Sequence, residues 1–210
     1  MFVKSHMIPL RKTHFIQKSA SVQEALDLME KLDLDGIPVV EEKRYQGIIT
    51  RHFIYEACFL SSLSKEQFLL KTRAGEIARY KNQAVSEDEM FEQTLLMVND
   101  MPIVAVADKH NVLLGIITRY DVLEQFQSAF GMKMPGVRIS FASLEAEGRI
   151  ARLSEITKQF HENIISLTTF DETDKLVRRM VMKVEKTPNL KKFTEKLSQS
   201  GFRILSIHED

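Results

Sequence analysis

"GIITRYDV" occupies Gly115–Val122, and "GIITRHFI" occupies Gly47–Ile54. Gly-Ile-Ile-Thr-Arg recurs in order, and the copies then diverge, with Asp121 in one and Phe53 in the other. Outward from the phrase the likeness continues. Ser21 is followed by Glu24, and Ser86 by Glu89, the spacing of a helix capping box. Apolar residues then recur at helical intervals, as Val22, Ala25, Leu26, Met29 and Leu32 in the first copy and Met90, Thr94, Leu95 and Val98 in the second. Next come "IPVV" (Ile37–Val40) and "MPIV" (Met101–Val104), a polar turn, the short apolar "GIIT", and a second helix opening at the Arg. "THFIQ" and "NQAV" predict a strand ahead of each first helix. Each copy therefore reads strand, helix, strand, strand, helix, which predicts α/β layers with each sheet covered on one face. A unit this small buries little core alone, and two tandem copies can cover each other. "ACFLSSLSKEQFLLKTRAGEIARY" between them reads as helical, with "AGEIA" leading into the second copy.

Beyond Phe130 the pattern changes. "GMKMPG" (Gly131–Gly136) reads as a linker. "VRISFASL" alternates as a strand. "EAEGRIARLSEITKQFHE" is a helix with Ile150, Leu153, Thr157 and Phe160 on one face. "NIISLTTFDE" and "KLVRRMVMKVE" are strands, with "VRRMVMKV" burying one face. "TPNLKKFTEKLSQSG" is a helix capped by Thr187, with Pro188 in its first turn, Leu190, Phe193 and Leu197 inward, and Gly201 past its end. "FRILSIHE" closes a βαββαβ order, the ferredoxin-like split βαβ arrangement.

Composition narrows the function. Lys plus Arg total 29 against 29 for Asp plus Glu, which argues against a nucleic-acid binder. One cysteine, Cys58, forms no internal disulfide. "MFVKSHMIPLRK" has no apolar core of a secretion signal, and no run approaches the ~18 apolar residues of a membrane span. These features predict a cytoplasmic protein without a membrane anchor. The six histidines are scattered without metal-ligand spacing, and neither phosphate-loop nor dinucleotide-binding glycine motifs occur. No nucleophile or acid/base arrangement stands out, so no enzyme, cofactor or metal is expected.

Both copies resemble CBS domains, whose hallmark is a Pro-apolar strand, then Gly-apolar-apolar-Thr and an Asp three residues after the Thr. The second copy carries Pro102, Gly115, Thr118 and Asp121, and the first carries Pro38, Gly47 and Thr50 but departs at Phe53. "SHMIP" (Ser5–Pro9) resembles the lead-in of a first CBS unit. "GVRISFASLEAEGRIARLSEITKQFHENIISL" resembles the start of an ACT domain. The order is similar to that of acetoin-utilisation-protein-B-like CBS–ACT proteins and of cyclic-di-AMP-binding CBS proteins. The resemblance implies α/β (α+β) architecture: a CBS pair, with repeats over residues 1–66 and 67–130, and an ACT domain over 135–210.

The chemistry of the phrase fits that resemblance. A Thr opening a helix offers a hydroxyl and free backbone N–H groups at the positive end of the helix, a place suited to phosphate. Arg119 and Arg51 supply forked donors. A carboxylate accepts only, so Asp121 suits ribose hydroxyls, and Thr118 shares its helical face. Thr118 and Asp121 equally suit plain helix capping. Phe53 suits core packing in place of the sugar contact. CBS pairs bind adenosine-containing ligands in clefts between the repeats. That implies nucleotide-binding residues Thr118, Arg119, Asp121, Met101, Pro102, Ala84, Thr50, Arg51, Ile37, Pro38 and Phe15. The expected function is a non-enzymatic sensor for cyclic-di-AMP, or else AMP, ADP or ATP, acting on a partner protein, with the ACT unit fixing a homodimer. The alternative is an amino-acid-responsive adaptor using Glu145, Gly148, Asn163 and Ile164 of the ACT unit.

Overall fold

A computed structural model of the chain describes residues 1–144, 146–172 and 176–209. The chain divides into two units, residues 1–123 and 124–210. Among the described residues no helix is long and apolar enough to cross a membrane.

In the first unit β1 (Ile8–Pro9) and β2 (Ile16–Gln17) precede α1 (Val22–Lys31). The hairpin β3 (Gly36–Glu41) and β4 (Arg44–Thr50) follows, then α2 (Arg51–Leu60), α3 (Lys65–Lys71) and α4 (Ala74–Ile77). The second repeat supplies β5 (Ala84–Val85), a 3-10 turn at Phe91–Gln93, α5 (Thr94–Met97), and the hairpin β6 (Ile103–Ala107) and β7 (Leu113–Thr118). α6 (Arg119–Ala129) runs from the first unit into the second. α1 forms as its sequence predicts: the Ser21 hydroxyl accepts from the Glu24 N–H at 3.2 Å, and Val22, Ala25, Leu26 and Met29 are buried. They pack with Ile37, Val39 and Ile49 of the hairpin, Ile54 of α2 and Phe68 of α3.

The sheets cross between the repeats. β2–β3–β4 form one sheet, but β1 joins the other, in the order β1–β7–β6–β5. The lead-in "SHMIP" thus pairs with the GIIT strand of the second copy, Ile8 opposite Ile116. The lead-in of the second copy reciprocates, since Ile48 of β4 and Arg79 exchange backbone hydrogen bonds at 2.8 and 3.0 Å. Both motif glycines make room for this crossing. A Cβ on Gly115 would stand 2.2 Å from the Ile8 carbonyl oxygen, and one on Gly47 2.6 Å from that of Arg79.

The two Pro-strands are not equivalent in register. Pro38 pairs with Ile48, whereas Ala105 pairs with the matching Ile116. Pro102 lies three residues earlier, outside β6, where its carbonyl accepts from the Arg119 N–H at 2.9 Å.

The helix predicted after Ser86 is largely replaced. Residues 87–91 instead pair with the N-terminal strap: the Val3 and Lys4 N–H groups donate to the Glu89 and Glu87 carbonyls, and Phe91 N–H donates to Met1 O. Those groups are lost to an intrahelical ladder. Phe91 and Val98 are buried while Met90 and Leu95 are exposed, so the predicted apolar face is corrected at Met90 and Leu95. Ser21→Ala is therefore expected to cost about 1 kcal/mol, the value of an N-cap, and Ser86→Ala clearly less. Urea unfolding of the two variants measures the difference, and equal losses would contradict the assignment.

The hairpins of the two repeats also bond to each other. Tyr45 N–H donates to Asn111 O, and Leu113 N–H to Lys43 O. Buried Tyr45 donates its hydroxyl to Tyr80 O at 3.0 Å. Burial pushes its phenol above the ordinary range. The unfolded chain then releases this proton first, so the stabilisation is complete below pH about 10 and is lost as pH rises beyond it. Tyr45→Phe is expected to cost about 1 kcal/mol at neutral pH and to flatten the alkaline loss of stability. Urea midpoints across pH 8–11 (roughly spanning the phenol range) test both, and parallel curves would contradict the role of Tyr45.

The second unit holds β8 (Val137–Leu144), α7 (Arg149–Phe160), β9 (Ile164–Glu172), β10 (Val177–Val184), α8 (Leu190–Gln199) and β11 (Arg203–Glu209). The sheet is antiparallel in the order β11–β8–β10–β9, the expected split βαβ topology. Phe141, Leu153, Ile156, Met182, Phe193 and Phe202 form its core. Ile156 takes the inward place expected for Ile150, which is exposed. β10 is buried on both faces from Met180 to Val184, a central strand with Gly131 and Gly136 close against β9 and β10. A Cβ on Gly131 would meet Ile165 at 2.7 Å, and one on Gly136 the Val184 carbonyl at 2.6 Å. Gly131 and Gly136 are thus packed at the two ends of "GMKMPG", while residues 132–135 between them are exposed. Thr187 does not cap α8: its hydroxyl donates to the buried Glu162 carboxylate at 2.7 Å, and the helix begins at Leu190.

Candidate functional site

A cleft of about 280 Å³ lies between the repeats. One wall is the N-terminal lead-in, with Ile8, Lys12, Thr13 and His14. It is held there by the β1–β7 pairing and by the Thr13 hydroxyl, within 3.1 Å of both the Ile8 and Pro9 carbonyls. A second wall is the turn from Asp33 to Ile37, where Asp33 takes a left-handed φ of 51° as α1 ends. The third is the second repeat, with Pro102, Ile103, Ile116, Thr118, Arg119 and Tyr120. Four isoleucines thus face a cavity ringed by Lys12, His14, Arg119, Asp33 and Asp35. An apolar slot with a few convergent charged groups is the usual form of a small-molecule site.

Thr118 and Asp121 cap α6 reciprocally. Asp121 Oδ2 accepts from the Thr118 N–H at 2.8 Å and from its hydroxyl at 2.6 Å, and Asp121 N–H lies 3.1 Å from Thr118 Oγ1. Asp121 Oδ1 has no protein donor among the described residues. The repeated Arg has a structural share in each copy. Arg119 Nε donates to Val98 O and Arg51 Nη2 to Met29 O, both at 2.8 Å. Each ties its strand–helix junction to the end of the preceding helix.

Of the expected site residues, Ile37, Pro102, Thr118 and Arg119 line the cleft. Asp121 is bonded to Thr118 but is not among the residues that line the cleft, and Met101 is buried. Pro38, Thr50 and Arg51 belong to the first repeat's hairpin and helix start. Phe15 is exposed and outside the cleft walls, and Ala84 opens on a separate cavity of about 410 Å³. Lys12, Thr13 and His14 were not anticipated, because they reach the second repeat only through the crossing of β1, nor was Asp35, in the turn between α1 and β3. The signal available for the crossing was "SHMIP" together with the bare Cα of Gly115.

The second unit carries a cavity of about 520 Å³ lined by Leu144, residues 146–151, Arg178 and Met180. Gly148 stands there with φ 79°. Arg149 is engaged elsewhere, donating to Ser143 Oγ at 2.6 Å and Gly201 O at 2.7 Å. Asn163 lies outside this cavity and donates to Glu185 at 2.7 Å. Ile164 begins β9, likewise outside it, and Glu145 falls outside the described residues.

Comparison with known proteins bears on this arrangement. The CBS domain family model matches residues 3–52. An uncharacterised protein of Methanocaldococcus jannaschii is 23% identical over 130 residues, 61% of this chain and 41% of that protein. The chain thus spans well under half of that relative's length. A hypothetical conserved protein from Geobacillus kaustophilus superposes with a TM-score of 0.54 at 23% identity, covering 60% of this chain and 96% of that one. The Listeria monocytogenes CbpB protein, solved in complex with c-di-AMP, gives 0.52 at 23% identity, covering 60% and 94%. CBSX2, solved with AMP, gives 0.51 at 22% identity, covering 60% and 95%. Over the 60% of the chain that they cover, these likenesses show the fold, a mixed α/β arrangement like that of CBS-domain proteins.

Proposed function

We propose that the chain is a non-enzymatic sensor that holds an adenine nucleotide in the cleft between its repeats and signals to a partner protein. The observation carrying this reading is the cleft itself, an isoleucine slot for a base beside the capped start of α6. In this reading residues 1–66 and 67–130 are the paired CBS repeats. The adenine lies among Ile8, Ile37, Ile103 and Ile116. Phosphate meets the α6 N-terminus, Arg119 and Lys12, and Asp121 Oδ1 takes the ribose. Cyclic-di-AMP comes first among candidates, then AMP, ADP and ATP. The similar solved proteins that hold c-di-AMP or AMP support an adenine nucleotide as the ligand class. Residues 135–210 act as an ACT domain that fixes a homodimer.

The second reading, an amino-acid-responsive adaptor, draws on the cavity beside Gly148. Thermal unfolding with added ligands separates the two. A nucleotide at a hundred times its Kd is expected to stabilise the fold by about 2.7 kcal/mol. Stabilisation by free amino acids with no response to nucleotides would reverse the assignment.

A further inference from the structure

The repeat defines a second position related to the cleft beside Thr118 by the correspondence of the two copies, and there the side chains differ. Gly47 corresponds to Gly115, so Phe53 stands where Asp121 stands. By the same correspondence Arg79, paired with Ile48, takes the place of Ile8, paired with Ile116, and Tyr80 that of Pro9. An acid, an isoleucine and a proline are thus replaced by three large side chains that pack on one another. The Phe53 ring lies 5.9 Å from that of Tyr80. The Arg79 guanidinium carbon lies 4.4 Å from the Phe53 ring centre and pairs outward with Glu56. The Tyr80 hydroxyl donates to Asp100 O at 3.4 Å, in the turn ahead of β6. Phe53 is left 6% exposed. The Thr50 hydroxyl and one Arg51 nitrogen are engaged as well, while Arg51 Nε is buried without a partner among the described residues. Thr50 Oγ1 accepts from the Phe53 N–H at 3.2 Å, and Arg51 is bonded to Met29 O.

We propose that the first cleft is closed from within by Phe53, Arg79 and Tyr80, so that each chain holds at most one nucleotide, in the second cleft. The proposal rests on the nucleotide reading for its ligand count, though the closure itself does not. Opening the first cleft would strip a cation from an aromatic face and break the Tyr80 bond. It would also set ribose hydroxyls against a ring edge that accepts no hydrogen bond. The module is then a single-input sensor with two halves of different use: one reads the ligand, and the other is permanently filled.

Native mass spectrometry of the full chain with AMP and with cyclic-di-AMP counts the ligands. Wild type is expected to hold no more than one per chain, and the Phe53→Asp/Tyr80→Ala variant twice the wild-type number. Two per chain in wild type would overturn the proposal. If neither probe binds any form, the nucleotide reading fails, and the closure is decided by urea unfolding of Phe53→Ala, Arg79→Ala and the double variant. Closure predicts a double-variant midpoint shift clearly smaller than the sum of the single shifts, because both singles break the same packing. Additive shifts would overturn it.

Discussion

Asp121→Ala is expected to weaken nucleotide binding by about 1.5–3 kcal/mol, the range for hydrogen bonds to a charged group. That is roughly ten- to more than a hundredfold in Kd. The expectation comes from the acceptor capacity of the carboxylate. Oδ2 is bonded to Thr118, and Oδ1 is left to take hydroxyl donors. The same substitution removes part of the α6 cap, so a loss of about 1 kcal/mol in stability accompanies it. Asp121→Asn separates the two effects. Its carbonyl still accepts from the Thr118 N–H, but its NH₂ group presents donors to ribose donors. An Asn variant that folds like wild type yet binds weakly supports the sugar contact. Unchanged affinity in both variants would confine Asp121 to capping.

Gly115→Ala is expected to cost about 1–3 kcal/mol in folding, the range for inserting a methyl where nothing can yield. The atom it would strike is a backbone carbonyl, that of Ile8, at 2.2 Å. β1 would have to lift from β7, and Ile8, Lys12, Thr13 and His14 would leave the cleft with it. Binding is therefore expected to fall along with stability. Gly47→Ala is the informative control. It also strikes a carbonyl, that of Arg79, and its φ of +122° is one that residues with a side chain rarely adopt. It should destabilise the fold but leave the second cleft with all its walls. Equal losses of affinity in the two variants would contradict the assignment of the lead-in strands to opposite repeats.

What the sequence revealed follows the range of each interaction. α1 was legible because its cap, Ser21 with Glu24, and its apolar face are local. The split βαβ order of the second unit was legible because its strands and helices alternate with clear period changes. The Ser86–Glu89 pattern has the same local form, yet α5 is only Thr94–Met97, because the strap at Met1–Lys4 pairs with residues far along the chain. No local pattern announces that competition. The register of the prolines was readable in principle. Pro38 stands nine residues before Gly47 and Pro102 thirteen before Gly115, so the matching tetrapeptides could not occupy matching places. In the cleft, Thr118, Arg119, Pro102 and Ile37 were legible as parts of the repeat. Lys12, Thr13 and His14 were not, because they belong by sequence to one copy and by pairing to the other. Phe53 was legible as the departure between copies. Its cover, Arg79 and Tyr80, became visible only once the lead-ins had crossed.

The central claim is that the cleft beside Thr118 binds an adenine nucleotide. Calorimetric titration of the purified chain with cyclic-di-AMP, AMP, ATP and S-adenosylmethionine tests it most directly. At least one of them is expected to bind with a Kd well below about 1 mM, equivalent to more than about 4 kcal/mol of binding free energy, and more weakly to Asp121→Ala. Absence of any binding tighter than millimolar across the four would contradict the sensor account.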